Sequence, residues 1–353
     1  MAVRVLVVTD AWLPQINGVV RSIEALIAKA STQEMEISLI FPGMFRTFPL
    51  PTYPEIRLAF KSAKSIAHII REREPDCIHI ATEGPLGFAA QRACKKNGWR
   101  FSTAYHTRFP EYIAERKLAP ASLIYRFLNR FHSASEAVLV ATKALETDLR
   151  ERGFQNLVRW TRGVDTALFR PATNRVRDRA APVFIYVGRI SIEKNIEQFL
   201  RLELPGRKVV VGDGPDRKRL QKAYPSACFT GALEGEALAA AYASADVFVF
   251  PSRTDTFGLV LLEALASGLP IAAFPVMGPR DVIGDSGCGV MSEDLRAAAI
   301  AALAIPSQLC VDHAARFSWD ASVRQFAVAV RLGHPALEDA ISASAQCDKI
   351  AAE

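Results

Sequence analysis

The feature that most restricts the fold is one local grammar used twice. A short uninterrupted apolar run ends at a glycine or polar turn, and a helix-length amphipathic stretch follows. In the first half such runs lie at 3–8, 36–41, 76–80, 101–105 and 136–141, with helices expected at 17–30, 60–73, 86–97, 120–132 and 142–152. The pattern restarts at Pro182-Val183-Phe184-Ile185-Tyr186-Val187 and continues with strands at 207–211, 227–230, 246–250 and 270–274. Helices there fit 193–201, 214–223, 235–243, 258–267 and 293–304. A strand apolar on both faces is one covered by helices on both sides, which requires a parallel sheet. Each half therefore predicts a doubly wound, Rossmann-like α/β domain.

We expect an N-terminal domain at 1–165, a polar, basic linker at 166–181 and a C-terminal domain at 182–312. A C-terminal helical segment, 313–353, is expected to pack back toward the N-terminal domain. In open sheets of this kind ligands bind beyond the carboxyl ends of the strands, so two such domains facing each other imply a cleft. With 50% hydrophobic and 23% charged residues, the chain is neither disordered nor a coiled coil.

Three function classes lose support early. The six cysteines form no CxxC or CxxH, which argues against a zinc knuckle or redox pair and for reduced thiols. The first apolar run is too short for a secretory leader, and none reaches 18 residues, so neither export nor a membrane span is expected. The turn Thr9–Val20 is not GxGxxG, which weakens a nicotinamide or flavin assignment. Charge is uneven: 27 Lys and Arg against 17 Asp and Glu in residues 1–180, and 16 against 20 thereafter. A basic first half suits a partner that is anionic on one side.

The strongest chemical signal follows the run 246–250, in Pro251-Ser252-Arg253-Thr254-Asp255-Thr256-Phe257-Gly258-Leu259-Val260-Leu261-Leu262-Glu263. Capping by Thr256 or Asp255 would leave the amides of Gly258, Leu259 and Val260 for a diphosphate. Asp255 precedes this helix and Glu263 lies a turn and a half into it. They are placed to meet a sugar and a ribose, or else serve as a cap and a solvated helical acid. Gly188, Arg189 and Lys194 follow the run 182–187, and two cations at a helix start are electrostatically odd unless an anion sits there. His106 stands just past 101–105, as a substrate contact or a satisfied structural residue. Gly18 opens the first helix behind Asn17, as a close-approach glycine or an ordinary Asn-capped turn. Asp213 and Asp216 are weak metal candidates without further oxygen ligands. The span 108–132 interleaves Arg108, Arg116, Lys117, Arg126 and Arg130 with aromatic and aliphatic residues, as in a helix at an anionic membrane or in one packed on its own sheet.

These motifs, in this order, resemble glycosyltransferase family 4, in particular its bacterial diacylglycerol glycosyltransferases and GDP-mannose-dependent α-mannosyltransferases. The resemblance implies the GT-B architecture and a retaining hexosyltransferase. The donor would be a nucleotide sugar, UDP-glucose or UDP-glucuronate preferred and GDP-mannose the alternative, with a membrane lipid such as diacylglycerol as acceptor. It also implies residue roles. Gly18 would face the donor diphosphate and His106 the transferred sugar. Arg189 and Lys194 would hold the diphosphate, Asp255 the sugar hydroxyls and Glu263 the ribose, with Gly188, Phe257, Gly258, Leu259 and Val260 completing the donor site. Many members carry Glu at the position of Asp255, so the carboxylate here is one methylene shorter. No cofactor, essential metal or nucleic acid is expected, and the sequence sets no oligomeric state. The expected location is the cytoplasm, at the inner face of the membrane. A nucleotide-sugar epimerase and a non-catalytic lipid- or nucleotide-binding module are the competing classes.

Overall fold

A computed structural model describes residues 2–15, 17–50, 53–106, 108, 110–111, 120–172, 181–332 and 334. Residues up to Thr161 together with the helix Trp319–Arg331 form one unit, and Arg162–Ser318 form the other.

The first unit is built on a parallel six-stranded sheet of β1 (Val3–Val8), β2 (Met35–Ile40), β5 (Cys77–Ile80), β6 (Ser102–Tyr105), β7 (Ala137–Val140) and β8 (Leu157–Arg159). Their order is β2-β1-β5-β6-β7-β8. A separate antiparallel hairpin, β3 (Phe48–Leu50) with β4 (Tyr53–Leu58), follows β2. β5, β6 and β7 are buried at every position, as their apolar runs require. One face packs under α2 (Ala63–Arg73) and α3 (Pro85–Asn97), through Leu6, Val8 and Ile80 against Ile66, Ile70 and Leu86. The other lies under α1 (Gly18–Lys29) and the helix Trp319–Arg331, which sends Val323, Phe326 and Val330 against Val5, Val7 and Ile23. Trp160, 1% exposed, donates from Nε1 to Ser322 Oγ at 3.0 Å, and Lys29 pairs with Asp320 at 2.7 Å, so this late helix is part of the first core. α4 (Ala121–His132) and α5 (Lys143–Glu151) complete the helices described here.

The second unit repeats the plan with β9 (Val183–Val187), β10 (Arg207–Val211), β11 (Cys228–Gly231), β12 (Val247–Phe250), β13 (Ile271–Ala273) and β14 (Gly289–Met291). Their order is β11-β10-β9-β12-β13-β14, again all parallel. The helices are α6 (Ile196–Arg201), α7 (Arg217–Ala223), α8 (Gly235–Ala243), α9 (Leu259–Ala266), α10 (Met277–Ile283), α11 (Leu295–Ala302) and α12 (Ser307–Ala314), and α13 is the helix Trp319–Arg331 of the first unit. The order of connection reverses between β9 and β12, and in the first sheet between β1 and β5. In open α/β sheets ligands bind beyond the carboxyl ends of the strands at such a reversal.

Three expectations need correction. The unit boundary falls at Thr161, and Val164 and Phe169, placed at the end of the first domain and in the linker, are buried in the second unit. Residues 313–318 likewise belong to the second unit; 173–180 of the expected linker and 335–353 of the tail lie outside the described residues. The helix expected at 193–201 is broken. A 3-10 turn at Ile192–Lys194 ends at Asn195, whose φ of 53° is left-handed, and α6 starts after it. Asparagine tolerates that conformation because its short polar side chain finds local partners.

Candidate functional site in the second unit and the strand ends of the first

The carboxyl ends of β9 and β12 meet at the reversal point. After β9 the backbone turns at Gly188, where a Cβ would stand 2.9 Å from the Tyr186 hydroxyl. That hydroxyl donates to the Arg189 carbonyl at 2.8 Å and fixes the turn. The loop then leans on the glycine loop after β10. Gly188 N donates to Val211 O at 3.0 Å, and Ile190 N to Asp213 O at 2.9 Å. Arg189 is half-buried in this turn.

Three contacts stitch the β9 loop to the β12 loop. Asn195 Nδ2 donates to the Pro251 carbonyl at 3.0 Å, and Thr254 Oγ1 to the Glu193 carbonyl at 3.3 Å. Lys194 Nζ meets Asp255 Oδ1 at 2.5 Å, with side-chain exposures of 24% and 15%. The structure thus brings together two residues that the sequence reading placed separately, one on phosphate and one on sugar. A charge-assisted bond in this half-buried setting orients both side chains.

Gly258, and neither Thr256 nor Asp255, is the N-cap of α9, and no side chain caps the helix. Asp255 is drawn away by Lys194. Gly258 has φ of 84°, and a Cβ there would press on Leu261 and Phe250 at 3.2–3.3 Å, so glycine fits both the conformation and the space. The opening amides of an α-helix, here those of Leu259 and Val260, lack intrahelical acceptors and are suited to an anion. Phe257 is 7% exposed, and its ring packs edge-on to Phe317 at 6.4 Å.

Glu263 is half-buried and accepts a 2.9 Å hydrogen bond at Oε2 from Tyr242 of α8. Burial first, then the Glu263 charge, raises the Tyr242 phenol far above its ordinary value, so it remains a proton donor. Sequence reasoning missed Tyr242. The available signal was a phenol in a helix of small residues, Gly235-Glu236-Ala237-Leu238-Ala239-Ala240-Ala241-Tyr242-Ala243, because a buried tyrosine hydroxyl needs a partner. Asp213 and Asp216 pair with Arg217 at 3.1 Å and Arg219 at 3.4 Å. Among the described residues no group of three or more His, Cys, Asp or Glu is arranged to hold a metal ion.

In the first unit Asn17 caps α1, its Oδ1 accepting from Val19 N and Val20 N at 3.0 Å each, and Gly18 is the exposed first residue of that helix. Asp10 lies between the ends of β1 and β5 and caps α3, accepting from Leu86 N at 2.8 Å and Gly87 N at 3.1 Å. Burial raises its pKa above the ordinary carboxylate value, opposed by those two amides and by Thr82. His106 follows β6 and sets its ring edge-on to Trp160 at 5.7 Å. In the same unit, sequence reasoning also missed a buried pair, His132 Nε2 with Glu83 Oε1 at 3.1 Å, whose imidazole Nδ1 meets Thr103 Oγ1 at 2.9 Å.

The basic, aromatic span divides. Arg108 is consumed by Glu111 at 2.5 Å and Asp148 at 3.8 Å, with Tyr125 donating to the same Glu111, so it is a structural residue and not a headgroup contact. Residues 112–119, including Arg116 and Lys117, lie outside the described residues. α4 buries Tyr125, Leu128 and Phe131 and exposes Leu123, Arg126, Phe127 and Arg130, with Leu123 50% and Phe127 55% exposed. No single helix among the described residues is long and apolar enough to cross a membrane.

Comparisons with known proteins bear on the family and the fold. The profile described as Glycosyltransferase Family 4 matches residues 16–168, and that described as Glycosyl transferases group 1 matches 181–305. A GDP-mannose-dependent alpha-mannosyltransferase of Mycobacterium tuberculosis is 34% identical over 327 residues, spanning 82% of this chain and 83% of the relative. Sulfoquinovosyl transferase SQD2 of Arabidopsis thaliana is 36% identical across 67% of this chain and 50% of its own length. Alpha-monoglucosyldiacylglycerol synthase of Streptococcus pneumoniae is 25% identical across 84% of this chain and 77% of its own. Among solved structures, sucrose-phosphate synthase from Thermosynechococcus elongatus superposes with a TM-score of 0.75 at 18% identity, covering 92% of this chain and 97% of that one. The two parallel α/β units, the motif order and these relatives together show that the chain belongs to glycosyltransferase family 4 and has the GT-B fold.

Proposed function

We propose that the protein is a retaining hexosyltransferase that moves a sugar from a nucleotide sugar to a lipid-borne acceptor. The observation that carries the reading is the pairing of Lys194 with Asp255 beside the uncapped start of α9, at the point where the second sheet reverses. Lys194, Arg189 and the Leu259 and Val260 amides stabilise the diphosphate as it leaves, acting as preorganised charge. Asp255 keeps the Lys194 ammonium oriented and offers its carboxylate to the sugar hydroxyls. Because that carboxylate is already engaged by a cation, no protein nucleophile is assigned to it. Retention then follows from same-face attack by the acceptor, whose proton passes to the departing diphosphate. Glu263 holds the ribose, Gly18 borders the diphosphate and His106 contacts the transferred sugar. No resident cofactor or metal takes part.

GDP-mannose is the first donor reading, supported by the 34% identity to a mannosyltransferase along most of both chains. UDP-glucose is the second, favoured by the similarity to a monoglucosyldiacylglycerol synthase, with UDP-glucuronate kept beside it as a further donor to be tested. The same relative favours diacylglycerol as acceptor, which would place the enzyme on the inner face of the membrane. Mass spectrometry of products from GDP-mannose, UDP-glucose and UDP-glucuronate, each with diacylglycerol liposomes, tests the reading. We expect a glycosylated lipid. An altered sugar nucleotide without acceptor would return the epimerase class, and binding without any turnover the non-catalytic one.

The exposed Leu123 and Phe127 of α4, flanked by Arg126 and Arg130, suit an anionic headgroup layer. Burial of one such side chain contributes about 1.5–3 kcal/mol. Phe127→Glu should therefore weaken sedimentation with phosphatidylglycerol vesicles by about tenfold or more, leave the circular dichroism spectrum unchanged, and act on binding that high salt also reduces. Vesicle binding equal to wild type would remove α4 from the membrane account.

A further inference from the structure

Tyr242 is a fully buried polar side chain bonded to one of the proposed donor groups, and the reading above gives it no task. Its ring is fully buried, with Phe169 edge-on at 5.7 Å and Phe248 tilted at 5.9 Å, so the phenol has little room to move. Its hydroxyl has one proton. Glu263 Oε2 lies 2.9 Å away and the Val260 carbonyl 3.5 Å away, and the longer contact is too weak to compete. Glu263 itself is half-buried on the first turns of α9. A helical glutamate in water samples several rotamers. One bonded to an immobile phenol is held in a single setting, and a hydrogen bond to a charged group is worth more than a neutral one.

We propose that Tyr242 is a positioning residue for donor selection: its hydroxyl fixes the rotamer in which the Glu263 carboxylate accepts the ribose hydroxyls, so that the pair selects ribonucleotide donors over deoxyribonucleotide ones. The inference rests on the assignment of Glu263 to the ribose. A carboxylate set in advance accepts the hydroxyls without first surrendering rotamer freedom, which is where preorganisation contributes to affinity. Tyr242→Phe keeps the buried ring and removes one oxygen.

The test is calorimetric binding of UDP and GDP, each beside its 2′,3′-dideoxy counterpart, to the full chain and to Tyr242→Phe, Glu263→Ala and the double variant. For whichever ribonucleotide binds wild type, Tyr242→Phe should weaken binding by about tenfold and leave the dideoxy form unchanged. The double variant should bind no more weakly than Glu263→Ala alone. With the full donor, the loss should appear in KM and not in kcat, a split that general loosening of the fold would not give. If Tyr242→Phe keeps the wild-type ratio of ribo to dideoxy binding while Glu263→Ala loses it, the positioning role falls and the ribose assignment stands. If both variants keep the ratio, the ribose assignment falls and takes the proposal with it.

Discussion

Lys194→Ala should slow sugar transfer by about 10²- to 10³-fold, the range for removing one preorganised group from a developing anion. The loss is expected in kcat, because in the proposed mechanism the charge facing Lys194 grows as the diphosphate departs. Stability should fall by only about 1–2 kcal/mol, since the Lys194–Asp255 pair is partly solvated and the stranded carboxylate can rehydrate. The loops should stay joined, because Asn195 still holds Pro251 and Thr254 still holds Glu193. Single-turnover kinetics and thermal unfolding of the same variant separate the two effects. Transfer at the wild-type rate would show that the cation has no part in the reaction.

Gly212→Ala should give the largest loss of stability, about 3–5 kcal/mol. The residue has φ of 141°, and a Cβ there would sit 1.9 Å from the carbonyl oxygen of Gly188 and 3.0 Å from its carbon. Both are backbone atoms, so no side-chain rotation relieves the clash. The β9 loop must move, and Arg189 moves with it, so donor affinity should drop alongside stability. Gly98→Ala is the matched control. Its φ is 68°, but a Cβ there meets open space, leaving only the left-handed strain of about 1–2 kcal/mol. Thermal unfolding should therefore place Gly212→Ala well below Gly98→Ala. Equal midpoints would mean that the glycine loops are not tightly nested.

The sheets were legible where strands are buried on both faces. β9 runs Val183-Phe184-Ile185-Tyr186-Val187 with every residue buried, as a strand covered on both faces requires. The β3–β4 hairpin was not legible. It joins neither of the two main sheets, exposes Phe48, and carries Pro49, so its sequence has the look of a loop. β8 and β14 are three-residue edge strands, too short to show a period. At the candidate site, positions just beyond the runs 182–187 and 246–250 single out Arg189, Lys194, Asp255, Gly258 and Glu263, because ligands of open sheets bind beyond the carboxyl ends of the strands. Their partners were hidden. Lys194 finds Asp255 across 61 positions, and Tyr242 finds Glu263 across 21, through contacts that only the folded sheet creates. Arg108 shows the opposite case: a cation that looked available is neutralised by Glu111 and Asp148.

In the proposed mechanism the diphosphate is held by Lys194 and the opening turn of α9. The most direct measurement is a crystal structure of the protein soaked with GDP or UDP. Phosphate oxygens are expected within hydrogen-bond reach of Lys194 Nζ and of the Leu259 and Val260 amides. Phosphates bound well away from both groups would contradict it.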